Sequence, residues 1–112
     1  MILAPSKPPS NFTVKTISST SIAASWQLPP VDSRHGIIIG FKLYYKKRGI
    51  PRLETSITIK NGMVRSKPVT GLAKFTEYEL QVLAFTSVGD GPKSSIRVER
   101  TKEDGKSLVN PF

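Results

Sequence analysis

Apolar side chains recur at every second position along most of this chain. Ile22, Ala24 and Trp26 form one such set, Phe41, Leu43 and Tyr45 a second, and Tyr78, Leu80, Val82 and Ala84 a third, while Phe12 and Val14 flank Thr13 in a shorter one. Successive strand side chains point to opposite faces, so each set lines one buried face. Thr55 to Lys60 brings Ile57 and Ile59 to one side, and Ile96 with Val98 closes the series. Turn signals separate the runs: Pro29-Pro30, Gly36, Arg48-Gly49-Ile50-Pro51, Asn61-Gly62, Gly71 and Gly89-Asp90-Gly91-Pro92. No window carries the period of an amphipathic helix, and β-branched and aromatic residues dominate the periodic runs. The pattern predicts roughly seven short strands in an all-β sandwich.

The flanks lack alternation. Residues 1–7 hold Pro5 and read as a linker or an added start, residues 8–101 as the domain, and residues 102–112, KEDGKSLVNPF, as a linker or disordered tail.

Composition narrows the function. The 112 residues make one domain, and 38% hydrophobic content supports a modest core. No apolar run approaches the ~18 residues of a membrane span, so direct membrane insertion is not expected. With no cysteine there is no disulfide framework, thiolate metal site or cysteine nucleophile, and the single histidine, His35, has no partner for a metal site or triad. The acids are scattered, no serine sits in a G-x-S-x-G elbow, and no glycine-rich loop opens a helix to hold phosphate. Neither an enzyme nor a cofactor is expected.

The runs PPSNFTV, SIAASWQLPP, GIIIGFKLYYKK and VTGLAKFTEYELQVLAFTSVGDGPKS together resemble a fibronectin type III domain from Pro8 to Thr101. The most specific elements are Trp26 followed by Pro29-Pro30, and the pattern Leu72, Thr76, Tyr78, Val82, Ala84, Gly89, Gly91, Pro92. The resemblance implies a seven-stranded immunoglobulin-like sandwich of two antiparallel sheets. Trp26 would fill its centre, and Tyr78, following Leu72, would form a tyrosine corner by bonding back to the backbone. These are fold residues. Two departures stand out. Lys67, followed by Pro68, occupies a position where the family places an apolar residue, which predicts an irregular edge strand with Met63 or Val64 supplying the missing core volume. Where some family members present Arg-Gly-Asp to integrins, this chain has Val88-Gly89-Asp90, and without the arginine that mode of binding is not expected.

Three features bear on function. The first is charge. Lys plus Arg number 17 against 8 Asp plus Glu, a formal net charge of +9. Eight of the cations, Lys42, Lys46, Lys47, Arg48, Arg52, Lys60, Arg65 and Lys67, fall in one segment against the single acid Glu54, which places seven of the nine net charges there. Such a patch suits a polyanion such as heparan sulfate, an acidic protein surface or anionic phospholipid headgroups. The plainer reading is a solvated face that keeps an edge strand unpaired. The second is an apolar interface: with the alternating sets inward, Tyr44, Leu83 and Phe85 point outward beside Lys42 and Lys46. Its plainer counterpart is ordinary cross-strand packing with lysine stems lying over the rings. The third is the sequon Asn11-Phe12-Thr13, in which Asn11 points away from an inward Phe12 and is a candidate glycosylation acceptor.

The resemblance implies a noncatalytic binding and spacing module in the extracellular part of a single-pass cell-surface receptor or adhesion protein, similar to domains of guidance receptors and receptor phosphatases. Its partners would be a protein or a sulfated glycosaminoglycan, together with neighbouring domains of the same chain. The alternative is a purely structural spacer of a matrix or intracellular scaffold. Nucleic-acid binding is not expected, because the aromatic stacking platform and module motifs are missing.

Overall fold

The computed structural model describes residues 1–103. The stretch from Asp104 to Phe112, most of the expected tail, lies outside the described residues. Seven strands form: β1 (Ser10–Thr16), β2 (Ile22–Gln27), β3 (Gly40–Lys47), β4 (Thr55–Ile59), β5 (Ser66–Val69), β6 (Glu77–Phe85) and β7 (Arg97–Arg100). Single turns of 3-10 helix at Val31–Ser33 and Pro51–Leu53 interrupt the connections around β3. The strands make two antiparallel sheets, one ordered β1-β2-β5 and the other β4-β3-β6-β7.

The alternating sets on the central strands meet between the sheets. Ile22, Ala24 and Trp26 from β2 face Phe41 and Leu43 from β3 and Tyr78, Leu80, Val82 and Ala84 from β6, all buried in one cluster. The Trp26 and Phe41 rings lie 5.3 Å apart at a tilt of 49°, an arrangement aromatic quadrupoles favour over face-to-face stacking. A buried indole N–H needs an acceptor, and Trp26 Nε1 donates to the Val64 carbonyl at 3.2 Å. Val64 thereby packs against the core, whereas Met63, the other residue considered for that volume, is exposed. At the start of β3 the Phe85 ring lies across Gly40, where any Cβ would collide with the ring and with the Ile59 carbonyl.

Tyr78 forms the expected corner: the Ala73 N–H donates to its hydroxyl oxygen at 2.8 Å. β5 is an edge strand, pairing only with β2, and Pro68 stands opposite Ala23. Its register is nonetheless regular from Ser66 to Val69, so the expected irregularity is not found. Proline is tolerated because an edge strand has one side on which no N–H is required. Lys67 pairs with the buried Ala24 and is half-buried at the rim of the inner face.

β7 departs from the expected phase. Ile96 and Val98 are exposed, and Arg97 and Glu99 stand opposite the inward-facing Leu80 and Tyr78. The reason is the neighbouring edge. β1 leaves backbone groups unpaired where the two sheets meet, and β7 supplies them with polar partners: Arg97 Nε donates to the Phe12 carbonyl at 3.1 Å, and Glu99 accepts from the Thr16 N–H at 2.9 Å. Burying apolar groups there would leave those backbone groups unsatisfied.

The stretch before β1 is docked rather than trailing. The Leu3 N–H donates to the His35 carbonyl at 2.8 Å, the Ser6 N–H to the Ser33 carbonyl at 2.9 Å, and the Thr86 hydroxyl to the Leu3 carbonyl at 2.8 Å. Pro5 is buried beside Gly91. The ends of β2 and β6 are thus strapped together by residues outside the alternating pattern.

Replacing Tyr78 by Phe keeps the ring and strands the Ala73 N–H. The variant should fold identically and lose about 1–2 kcal/mol of stability, the usual cost of an unmet buried donor. Urea unfolding with an unchanged m-value checks this, and a stability equal to wild type would exclude the corner as a stabilising contact.

Candidate functional site

The eight cations clustered in the sequence separate into three groups in space, because the chain crosses from one sheet to the other between β4 and β5. Lys42 and Lys46 stand on the outer face of β3, Lys47 ends that strand with Arg48 and Arg52 in the β3–β4 connection after it, and Lys60, Arg65 and Lys67 belong to the β4–β5 loop and β5.

The first group is largely neutralised. Lys42 Nζ donates to an Asp90 carboxylate oxygen at 2.8 Å, and Lys46 lies 3.7 Å from Glu79, its cross-strand neighbour. The Asp90 hydrogen bond and charge hold Lys42 above the ordinary lysine value of 10.5. Asp90, the aspartate of the Val88-Gly89-Asp90 tripeptide, is therefore engaged within the domain.

The same face shows why Tyr44, Leu83 and Phe85 do not form an open apolar patch. From Asp90 to Ser94 the chain runs alongside β6 without regular strand geometry. The Gly91 N–H donates to the Ala84 carbonyl at 2.8 Å, the Ser94 N–H to the Val82 carbonyl at 2.8 Å, and Gln81 Nε2 to the Ser94 carbonyl at 2.9 Å. Leu83 is only 4% exposed. Lys93 lies 4.0 Å above the centre of the Tyr44 ring while pairing with Glu54 at 3.5 Å, and Lys42 lies 5.8 Å from the Phe85 ring. Cations over aromatic faces, with carboxylates behind them, cover this surface from within the chain. The three apolar groups do face outward, as expected, but they are not open to solvent, because the expectation treats β3 and β6 alone. Lys93 and Asp90, distant in sequence, supply the cover.

The second group is the most accessible. Arg48 reaches Glu77 at 3.2 Å, and Arg100 of β7 reaches the same carboxylate at 3.3 Å, so two guanidinium groups share one acid. Arg100 also stacks on Phe75 at 4.8 Å. Lys47, Arg48, Phe75 and Arg100 line one depression at this end of the sandwich, with Arg52 further along the same connection. Lys47 and Arg52 are exposed and have no carboxylate partner among the described residues. Arg100 was missing from the sequence-based patch because it lies far along the chain.

In the third group Arg65 donates to the carbonyls of Gly62 and Val64 at 2.6 and 3.0 Å and lies over the Phe41 ring, at 5.8 Å. Lys60 is exposed and Lys67 half-buried. Asn11 is also exposed. It adopts a left-handed φ of 53°, at a bulge where the β1–β2 register shifts between Ser10 and Thr13. Its sequon partner Thr13 shares a hydrogen bond with Ser25 at 2.9 Å. His35 is a loop residue within 3.0 Å of the Ser6 hydroxyl. Among the described residues no cluster of His, Asp and Glu is arranged to hold a metal.

Two antiparallel sheets enclosing a central tryptophan, locked by a tyrosine corner, define an immunoglobulin-like β-sandwich. Residues 7–100 match the model of the fibronectin type III domain, and the chain belongs to that family. It is 40% identical over 101 residues to protein sidekick-1 of Gallus gallus and 41% identical over 100 residues to tyrosine-protein phosphatase Lar of Drosophila melanogaster. In each case 89% of this chain is covered but only 5% of the relative. The third fibronectin III domain of human KIAA0343 protein superposes with a TM-score of 0.79 at 27% identity, over 90% of this chain and 86% of that one. Members of this family are noncatalytic modules, and the relatives that contain such a module include receptor-type tyrosine-protein phosphatase F of Bos taurus, 38% identical over 103 residues.

A lysine raised by a carboxylate favours the folded state while protonated. The Lys42 contribution is therefore present below pH 10.5 and lost as pH climbs through the raised value. Asp90→Asn should return the Lys42 titration to the ordinary range, read from its side-chain carbon shifts by NMR. An unchanged titration midpoint would exclude the Asp90 contact as the cause.

Proposed function

We propose that this domain is an extracellular binding and spacing module of a single-pass cell-surface receptor, and that its β3–β4 end contacts sulfated glycosaminoglycan. The receptor address is supported by relatives that include a receptor-type tyrosine-protein phosphatase. The observation that carries the ligand reading is the surplus of cations at one end: Lys47, Arg48 and Arg100 share a depression with the single carboxylate of Glu77, and Arg52 lies further along the same connection. A sulfated chain would supply the missing negative charge, by an attraction that salt screens. Lys42 and Lys46, already paired, contribute little.

The rival reading is a spacer with no ligand, favoured by the ion pairing of Lys42, Lys46 and Arg48, three of the eight cations of the original patch. Heparin chromatography separates the two. Lys47→Glu/Arg48→Glu/Arg52→Glu should elute at clearly lower salt than wild type, and Lys42→Ala/Lys46→Ala close to it. Equal elution of the triple variant and wild type would leave the spacer reading standing.

The extracellular address also predicts a glycan on Asn11, which is exposed at a bulge with its side chain clear of the core. Protein secreted from a eukaryotic host should carry a glycan mass that Thr13→Ala removes. An unmodified Asn11 in the secreted protein counts against this acceptor.

A further inference from the structure

The end of the sandwich opposite the β3–β4 connection carries a groove of about 640 Å³ between the residues preceding β3 and the β4–β5 loop. That is within the ~300–1,000 Å³ of ordinary ligand sites. From Gly36 to Ile39 the chain sets Ile38 inward against the core and leaves Ile37, 79% exposed, and Ile39 outward. Across from them Met63 is 82% exposed. Three large aliphatic groups thus lie open along one groove, unlike the covered face of β3 and β6.

The groove is preformed. Gly62 sits so close to the Ile38 carbonyl that no side chain would fit between them. The Asn61 side-chain oxygen accepts the Met63 N–H at 2.8 Å, Arg65 ties the Gly62 and Val64 carbonyls together, and the Trp26 indole holds Val64 from below. A wall held by so many bonds loses little entropy when a partner settles against it. Its polar rim has one sign: Arg34, Lys60 and Arg65 line the groove with no acid, and none of them has a carboxylate within ion-pair distance among the described residues. An occupant must offer negative charge to the rim and aliphatic surface to Ile37, Ile39 and Met63. A sulfated sugar offers only the first.

We propose that this groove receives an acidic segment of a partner protein, an extended stretch in which carboxylates alternate with aliphatic side chains. Alternation would send carboxylates to the Arg34, Lys60 and Arg65 rim while the opposite face of the segment covers the isoleucines. This site is separate from the glycosaminoglycan surface and does not depend on it.

The test is a titration of isotope-labelled domain, followed through its backbone amide signals, with a short synthetic peptide of alternating leucine and aspartate. Saturable shifts are expected at Ile37, Ile39, Gly62 and Met63. Binding should be about tenfold weaker for a serine-aspartate peptide, which lacks the apolar half of the contact, and absent for leucine-lysine. Ile37→Ser/Met63→Ser, at two exposed positions, should keep the melting temperature and heparin elution of wild type yet weaken the leucine-aspartate peptide about tenfold. Lys47→Glu/Arg48→Glu/Arg52→Glu should keep the peptide and elute from heparin at clearly lower salt. No shifts, equal binding of the serine-aspartate peptide, or shifts centred on the β3–β4 connection would each overturn the proposal.

Discussion

The buried indole of Trp26 is the constraint around which this domain is arranged. Its ring fills the space between the sheets against Phe41, but its N–H cannot be left there without a partner. The acceptor is a loop carbonyl, that of Val64, so the β4–β5 connection must come in under the sandwich rather than swing free. The Trp26 backbone N–H then takes the Arg65 carbonyl at 2.9 Å, which sets the start of β5 against β2. One polar atom in the core thereby governs where a loop lies, how an edge strand is registered and what shape the neighbouring groove takes.

Electrostatics follow a second rule: acids go where they cover something. Asp90, Glu79 and Glu54 all serve the outer face of β3 and β6, holding cations beside or over aromatic rings. Glu99 is spent on the β1 edge. Among the described residues, Arg34, Lys60 and Arg65 at the groove end and Lys47 and Arg52 at the β3–β4 end are left without a carboxylate partner. Exposed ion pairs add little stability. Their effect here is on which surfaces remain available to a partner.

The central strands were legible because each buries one face, so Ile22, Ala24 and Trp26 or Phe41 and Leu43 must alternate. Tyr78 and Trp26 carried the rest of the fold through their resemblance to the family's pattern. β7 was misread because at a sheet edge the need to pair backbone groups outweighs hydrophobic phase, and Arg97 and Glu99 carry no periodic signal for that. Leu83 faces outward as its phase requires, and its burial was not legible because its cover comes from the run after Asp90. The charge cluster dissolved because neighbours in sequence, such as Lys46 and Lys67, ended on different sheets. The groove went unnoticed because its two walls, Gly36 to Ile39 and Asn61 to Met63, each read as an ordinary turn or strand entry. Only the exposed isoleucines flanking Ile38 hinted at it.

The clasp between β7 and β1 has a mechanical side. Both strands run from the groove end of the sandwich toward the β3–β4 end, one near the start of the domain and the other at its finish. Tension applied through the two ends of the chain pulls them past each other along their own length. The Arg97 to Phe12 and Thr16 to Glu99 bonds lie across that sliding plane and take the load together rather than one after another. Two polar side chains set into the seam of a sandwich thus resist shear.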